Sequence, residues 1–257
     1  MKTQISHLIH NHYSYKIVYD VCENSSSKVY IICIHSLLRN RFDFTRLQLI
    51  LFKYFNIVKV DLIGHGQSEH LQRGNYSLKI FAQSVISVIN ALSAKNVVII
   101  GDEFGAKVAE YIAAIKNFVI SGVVLHNYEN NFDDFIQKVY STYSEYSKLS
   151  FSSLENVIEF IKTDKKLYNL QSENLTESEL STFAIQQVKS NYDTWIWRYD
   201  LSVLSNAESF SKKYKVKCEV LSKSIDIKFC IFDKDYSAFV EWVRKVCRQK
   251  SYDEDRI

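Results

Sequence analysis

The run Val97–Gly105 (VVIIGDEFG) carries two adjacent carboxylates, Asp102 and Glu103, between Gly101 and Gly105, two of only six glycines in 257 residues. Val97–Ile100 reads as a short buried strand that turns at Gly101 into a helix predicted over Phe104–Lys116. A carboxylate on that turn lies at a helix N-terminus, where the dipole and the orphan backbone N–H groups favour an anion. Neighbouring side chains diverge, so Asp102 and Glu103 do not make an acid–base pair, and Asp102 is expected to face away or to cap the helix. The seven histidines are His7, His10, His12, His35, His65, His70 and His126, and none lies beyond 126. His126 follows the strand predicted over Ile120–Leu125, near the carboxyl edge where open α/β sheets bind ligands, and is the candidate base. His7, His10 and His12 fall at alternating or turn positions of an opening hairpin and read as a solvated strand rather than a metal site.

The elements that must position these residues alternate in type. Ile5–His10 and Tyr13–Val21 flank Asn11-His12 and predict a hairpin. Val29–Ile34 is a continuous apolar run, hence a buried strand, and Phe42–Tyr54 has helical spacing. A strand over Asn56–Leu62 and a loop over Ile63–Tyr76 follow. Ser77 then caps a helix over Leu78–Ala94 whose apolar face includes Ile80, Phe81, Val85, Val88 and Ile89. Strands alternating with helices imply right-handed crossovers and a mostly parallel α/β sheet. From Glu129 to Asp200 no buried strand is evident, and three helical stretches are predicted instead: Asp133–Leu149, Leu154–Asn169 and Glu177–Tyr192. Thr176 and Glu179 form a capping box for the last. The organisation expected is a core of residues 1–128 and 201–257 with an all-helical lid over 129–200. Near the end, Cys218–Leu221 and Lys228–Phe232 look like strands. The gap between them is too short for a parallel crossover, so they are expected to pair as an antiparallel hairpin unless one is not a strand. A helix over Ala238–Arg248 closes the chain.

Composition bounds the function. At 47% hydrophobic and 14% aromatic residues the chain buries a real core and is not disordered. Its apolar runs are too short to cross a bilayer, and no signal peptide is evident. A formal charge of +3, evenly spread, argues against nucleic acid as a partner. The five cysteines form no CxxC pair and no cluster with histidine, which predicts buried free thiols and a cytoplasmic location. No P-loop, no G-x-G-x-x-G and no metal-ligand cluster is present, so no cofactor and no metal are implied. Proline is absent altogether, where average usage gives about 13. Drift toward AT-rich codons is the reading of that depletion, and such drift can also erode catalytic residues.

Three segments, in register over residues 28–128, together resemble the α/β-hydrolases. Val29–Ser36 (VYIICIHS) with Arg39–Phe44 resembles the third strand and oxyanion loop, Asp61–Ser68 (DLIGHGQS) the D-x-x-G-H-G-x-S loop, and Val97–Gly105 the nucleophile elbow G-x-S-x-G. Trp195–Asp200 (WIWRYD) is similar to the segment that ends the lid in esterase-like members. The resemblance implies elbow glycines at Gly101 and Gly105 and an oxyanion loop reading His35-Ser36 where the family has His-Gly. The N–H groups of Leu37 and Phe104 are then the oxyanion donors, and positive φ is expected at position 103. It also marks departures. Glu103 stands where esterases have serine and some relatives aspartate. The family's C-terminal histidine is missing, and Asp226 is the nearest candidate for the triad acid. Serine hydrolysis needs a nucleophile, a base and an orienting acid, and here the first is replaced and the second is absent from its place. Glu103 is therefore expected to be inert, its carboxylate filling its own oxyanion hole beside Leu37 and Phe104. The function expected is a non-catalytic or residually active hydrolase homologue that keeps a binding site for a small apolar acyl or aromatic ligand or for a protein partner. The alternative is an active hydrolase of small acyl esters or thioesters built on Glu103 and His126.

Overall fold

A computed structural model describes residues 1–115, 120–128, 137, 141, 145–146, 148–164, 176–204, 219–222 and 236–254. Its central sheet contains β1 (Lys2–His10), β2 (Tyr13–Cys22), β3 (Val29–Ile34), β4 (Asn56–Val60), β5 (Asn96–Asp102), β6 (Ile120–His126) and a strand over Glu219–Ser222. The spatial order is β1-β2-β4-β3-β5-β6 and then Glu219–Ser222. β2 runs antiparallel to both β1 and β4, and every later pairing is parallel.

The crossovers are α1 (Thr45–Leu51), α2 (Leu78–Ala91) and α3 (Phe104–Ile115). β3 is buried on both faces, which is why it reads as an unbroken apolar run. Ile32 and Ile34 point into the core shared with α2 and α3, whereas Ile31 and Cys33 join the core on the opposite face. α1 and the closing helix, Ser237–Glu254, cover that opposite face. The β1–β2 turn places Asn11 at φ 49° and His12 at φ 68°, the doubly left-handed turn that matches strand twist. Ser77 caps α2 by accepting from the Ile80 N–H.

One expectation is corrected. The segment read as all-helical contains α4 (Leu154–Thr163) and α5 (Glu177–Gln187), but helix does not continue to Tyr192. Instead β7 (Val188–Asn191) and β8 (Thr194–Trp197) form an antiparallel hairpin. β-Branched and aromatic residues in β8, with Tyr192 turning at φ 54°, outweigh the helical run that precedes them. The capping box at Thr176 and Glu179 forms as expected. At the far edge of the sheet, β9 (Glu219–Ser222) forms where a strand was expected over Cys218–Leu221. It pairs in parallel with β6, adding a strand to the sheet. The predicted strand at 228–232, Asp226 and most of the predicted helix over 133–149 lie outside the described residues.

Candidate functional site

The carboxyl edge of the sheet is built by glycines first. A Cβ on Gly105 would come within 2.1 Å of the Ile34 carbonyl oxygen, and one on Gly101 within 2.2 Å of the Gly105 carbonyl oxygen. The start of α3 thus packs directly on the end of β3, and no larger residue fits either position. Between the two glycines Glu103 adopts φ 50°, a left-handed conformation that costs a non-glycine residue roughly 1–2 kcal/mol. Its N–H donates to the His126 carbonyl at 2.9 Å and its carbonyl accepts from Ala106 at 3.1 Å, so the turn is pinned at both ends. The Glu103 side chain is half-buried, and among the described residues its carboxylate accepts no hydrogen bond. Leu37 and Phe104 donate nothing to it, so the expected self-filled oxyanion hole is not formed. The Phe104 ring is buried edge-on against Phe81 at 5.0 Å.

Asp102 does face away from Glu103, as expected, and where it goes is the main finding at this edge. Sheet register sets Asp102 opposite His126. Their side chains meet, Asp102 Oδ1 lying 2.6 Å from His126 Nδ1, and the same oxygen accepts from Asn127 Nδ2 at 3.0 Å. Asn127 is itself left-handed, at φ 47°. The candidate base is thus oriented by Asp102 and not by Glu103, although it touches Glu103 through the backbone.

The loop after β3 is held by His35. The Leu62 N–H donates to His35 Nε2 at 3.0 Å, which leaves the ring proton on Nδ1 to donate to the Ser36 carbonyl at 2.7 Å. Both histidines of this region are neutral: burial pushes His35 down to about 3, and burial with the neighbouring His35 does the same to His65. Ser36 and Leu37 are buried in this loop, and Leu38 turns it at φ 64°. Beyond it, Asn40 caps the turn Arg41–Phe44 and donates through Nδ2 to Gln187 Oε1 at 2.9 Å and the Gln186 carbonyl at 3.1 Å. The end of α5 is thereby fastened to the loop.

Behind the loop lies a buried charge cluster that the sequence pattern did not reveal. Arg41 pairs with Asp61 and, at 3.1 Å, with Asp20, while Lys59 lies 3.6 Å from Asp20. Asp61 also accepts from the N–H groups of Arg41 and Gln67, each at 2.8 Å. Two cations and two anions balance. Burial, with the nearby Arg41 charge, lowers Lys59, and burial raises Asp61 from its ordinary value, each opposed by its counter-charge. The available signal was a lysine inside the largely apolar strand Asn56–Val60, where burial on both faces demands a counter-charge. Gly66 belongs to the same knot, since a Cβ there would meet Asp61 Oδ2 at 2.2 Å. A second buried group, Lys107 with Glu110 at 2.8 Å and the Tyr128 hydroxyl at 3.1 Å, ties the residue following Asn127 to α3. Described cysteines Cys22, Cys33 and Cys247 are free thiols, as expected, and burial pushes the Cys33 thiol up to about 12. Among the described residues no group of three His, Cys, Asp or Glu side chains is arranged to hold a metal, and no helix is long and apolar enough to cross a membrane.

Sheet order, the antiparallel second strand and the strand–elbow–helix unit together define the α/β-hydrolase fold, and this chain has that fold. Solved structures share it at low identity. The thioesterase domain from the curacin biosynthetic pathway superposes with a TM-score of 0.63 at 17% identity, covering 97% of this chain and 91% of that one. An α/β hydrolase from Novosphingobium aromaticivorans gives a TM-score of 0.65 at 14% identity, covering 90% and 77%. No family model matches the chain. Among curated proteins, the uncharacterized hydrolase YugF of Bacillus subtilis is 30% identical over 95 residues, covering 37% of this chain and 35% of YugF. A human serine hydrolase-like protein is 35% identical over 79 residues, covering 30% of this chain and 39% of its own length. The matched segments thus span little more than a third of either relative.

Proposed function

We propose that this protein is a non-catalytic α/β-hydrolase homologue that retains the elbow, the oxyanion loop and a lid as a binding scaffold for a small apolar acyl or aromatic ligand. The observation that carries the reading is the state of position 103. The strained turn that exists to present a nucleophile is kept, but it presents a glutamate, and the His126 ring is engaged by Asp102. Glutamate reaches one methylene further than the aspartate of carboxylate-nucleophile relatives, and displacement on that scale costs about a hundredfold in rate. The segment 129–200 is the lid in this reading. Its supports are the Asn40–Gln187 contact and the strand-like bridges His65–Tyr199 and Phe151–Trp195. Free cysteines favour a reducing, cytoplasmic location.

One observation favours a second reading. An aspartate on Nδ1 orients an imidazole as general bases are oriented, so the 2.6 Å Asp102–His126 pair suits hydrolysis of small acyl esters or thioesters. Hydrolysis of short- and medium-chain p-nitrophenyl esters by wild type, Glu103→Gln and His126→Ala separates the two. No turnover above buffer in any of the three is the expected result. Wild-type turnover abolished by either substitution would replace the scaffold reading with the second one.

A further inference from the structure

We propose that the protein self-associates through its edge strand β1, two copies pairing antiparallel about His7 to make one continuous sheet. β1 stands at the end of the strand order and pairs along one side only, with β2, over nine residues from Lys2 to His10. Among the described residues its other side is an open row of backbone N–H and C=O groups about 30 Å long. Edge strands are normally protected by proline, inward-pointing charge or a bulge. The strand KTQISHLIH holds no proline and no acidic residue, its one lysine is at the first position, and its pairing with β2 has no break in register. What fits such an edge is an extended chain.

The pattern of side chains identifies that chain as a second copy. Ser6 and Leu8 point inward under α2, with Ser6 Oγ 3.0 Å from Ser87 Oγ. The opposite face carries Ile5, His7 and Ile9, with Ile5 54% and Ile9 68% exposed. These two isoleucines sit two residues either side of His7. An antiparallel pair centred on His7 sets Ile5 of one copy against Ile9 of the other, twice over, and His7 against His7. It also sets Gln4 against His10 and Ser6 against Leu8. Inward residues stay inward and outward residues stay outward, as strand parity requires. No acidic or lysine side chain is brought against a like charge. A contact that is its own complement closes as a two-fold dimer and leaves no further edge of this kind open. This inference is independent of whether the elbow is catalytic.

The test is sedimentation velocity of the full chain across about a hundredfold range of concentration, with an expected reversible dimer of micromolar dissociation constant, in keeping with a small interface. Ile5→Lys and Ile9→Lys, both at exposed positions, are expected to keep the far-ultraviolet circular dichroism and to weaken the dimer at least tenfold. Under mild oxidation His7→Cys is expected to cross-link between copies beyond the wild-type background, whereas Thr3→Cys, which has no self-partner in this register, is not. A monomer at every concentration overturns the proposal and leaves the edge to a different extended chain. A dimer indifferent to both lysines, or linked through Thr3→Cys in preference to His7→Cys, overturns it as well.

Discussion

Position 103 is where backbone and chemistry disagree. The backbone keeps a left-handed residue between two obligatory glycines, and the residue strained there is a glutamate. Glu103→Gly is therefore expected to stabilise the protein. Relief of the left-handed strain outweighs the greater freedom of glycine in the unfolded chain by up to about 1 kcal/mol, read as a higher urea midpoint at unchanged slope. Gly105→Ala should do the reverse. Its methyl has no space against the Ile34 carbonyl, and a loss of about 3 kcal/mol or failure to accumulate folded protein is expected in the same titration. The need for a tight turn at Gly101–Gly105 was legible in the sequence, because an apolar run that stops at a glycine and restarts as a helix admits few geometries. The partner of His126 was not. It depends on β6 pairing with β5 in a register that sets residue 126 beside 102, and a chain separation of 24 residues carries no such information.

At the scale of elements, the loop after β3 owes its shape to the charge cluster beneath it. Arg41 reaches both Asp61 and Asp20 and is buried with them. Asp61→Asn would leave that guanidinium short of one counter-charge in a site closed to water, and a destabilisation of about 3–5 kcal/mol is expected on denaturant unfolding. Replacing Lys59 by methionine instead removes a cation whose partner still has Arg41, so a smaller loss is expected in the same experiment. The hairpin Val188–Trp197 is a further case in which elements beat local propensity. Trp197 stacks with Tyr199 at 6.2 Å and meets Phe151 edge-on at 5.2 Å, contacts available only when the segment is extended across the loops it covers. Periodicity over Glu177–Tyr192 offered a helix of full length, and the helix stops at Gln187 because Val188 enters an extended conformation and pairs with Trp197.

The whole molecule registers these local choices as a dependence on pH. His35 and His65 are fully buried and neutral, each held near 3 against about 6.5 when the chain is unfolded. A folded-state pKa below the unfolded one means that the unfolded chain binds more protons. Stability is therefore complete above about 6.5 and is lost progressively as pH falls toward 3, at up to about 1.4 kcal/mol per pH unit for each histidine. Urea midpoints measured between pH 7 and pH 4 should fall accordingly, and His65→Gln should show a shallower fall than wild type. An unchanged slope in that variant would mean that other groups dominate acid unfolding.

By itself the sequence determined the alternation of strands and helices, the two buried faces of β3, the opening hairpin, the caps at Ser77 and Thr176, and the replacement of the expected serine by Glu103. Each is written within about fifteen residues as a period, a turn or a cap, and local sterics suffice to impose it. Only the tertiary structure decided that β9 extends the sheet in parallel, that Asp102 orients His126, that Asn40 fastens Gln187, and that Asp20, Arg41, Lys59 and Asp61 neutralise one another. Those contacts join residues 20 to 147 positions apart, beyond the reach of any local rule, and the largest separation is that of Asn40 from Gln187. Strand order and register choose which side chains face one another across the sheet, and that choice is made by burying the core as a whole, not by any one segment.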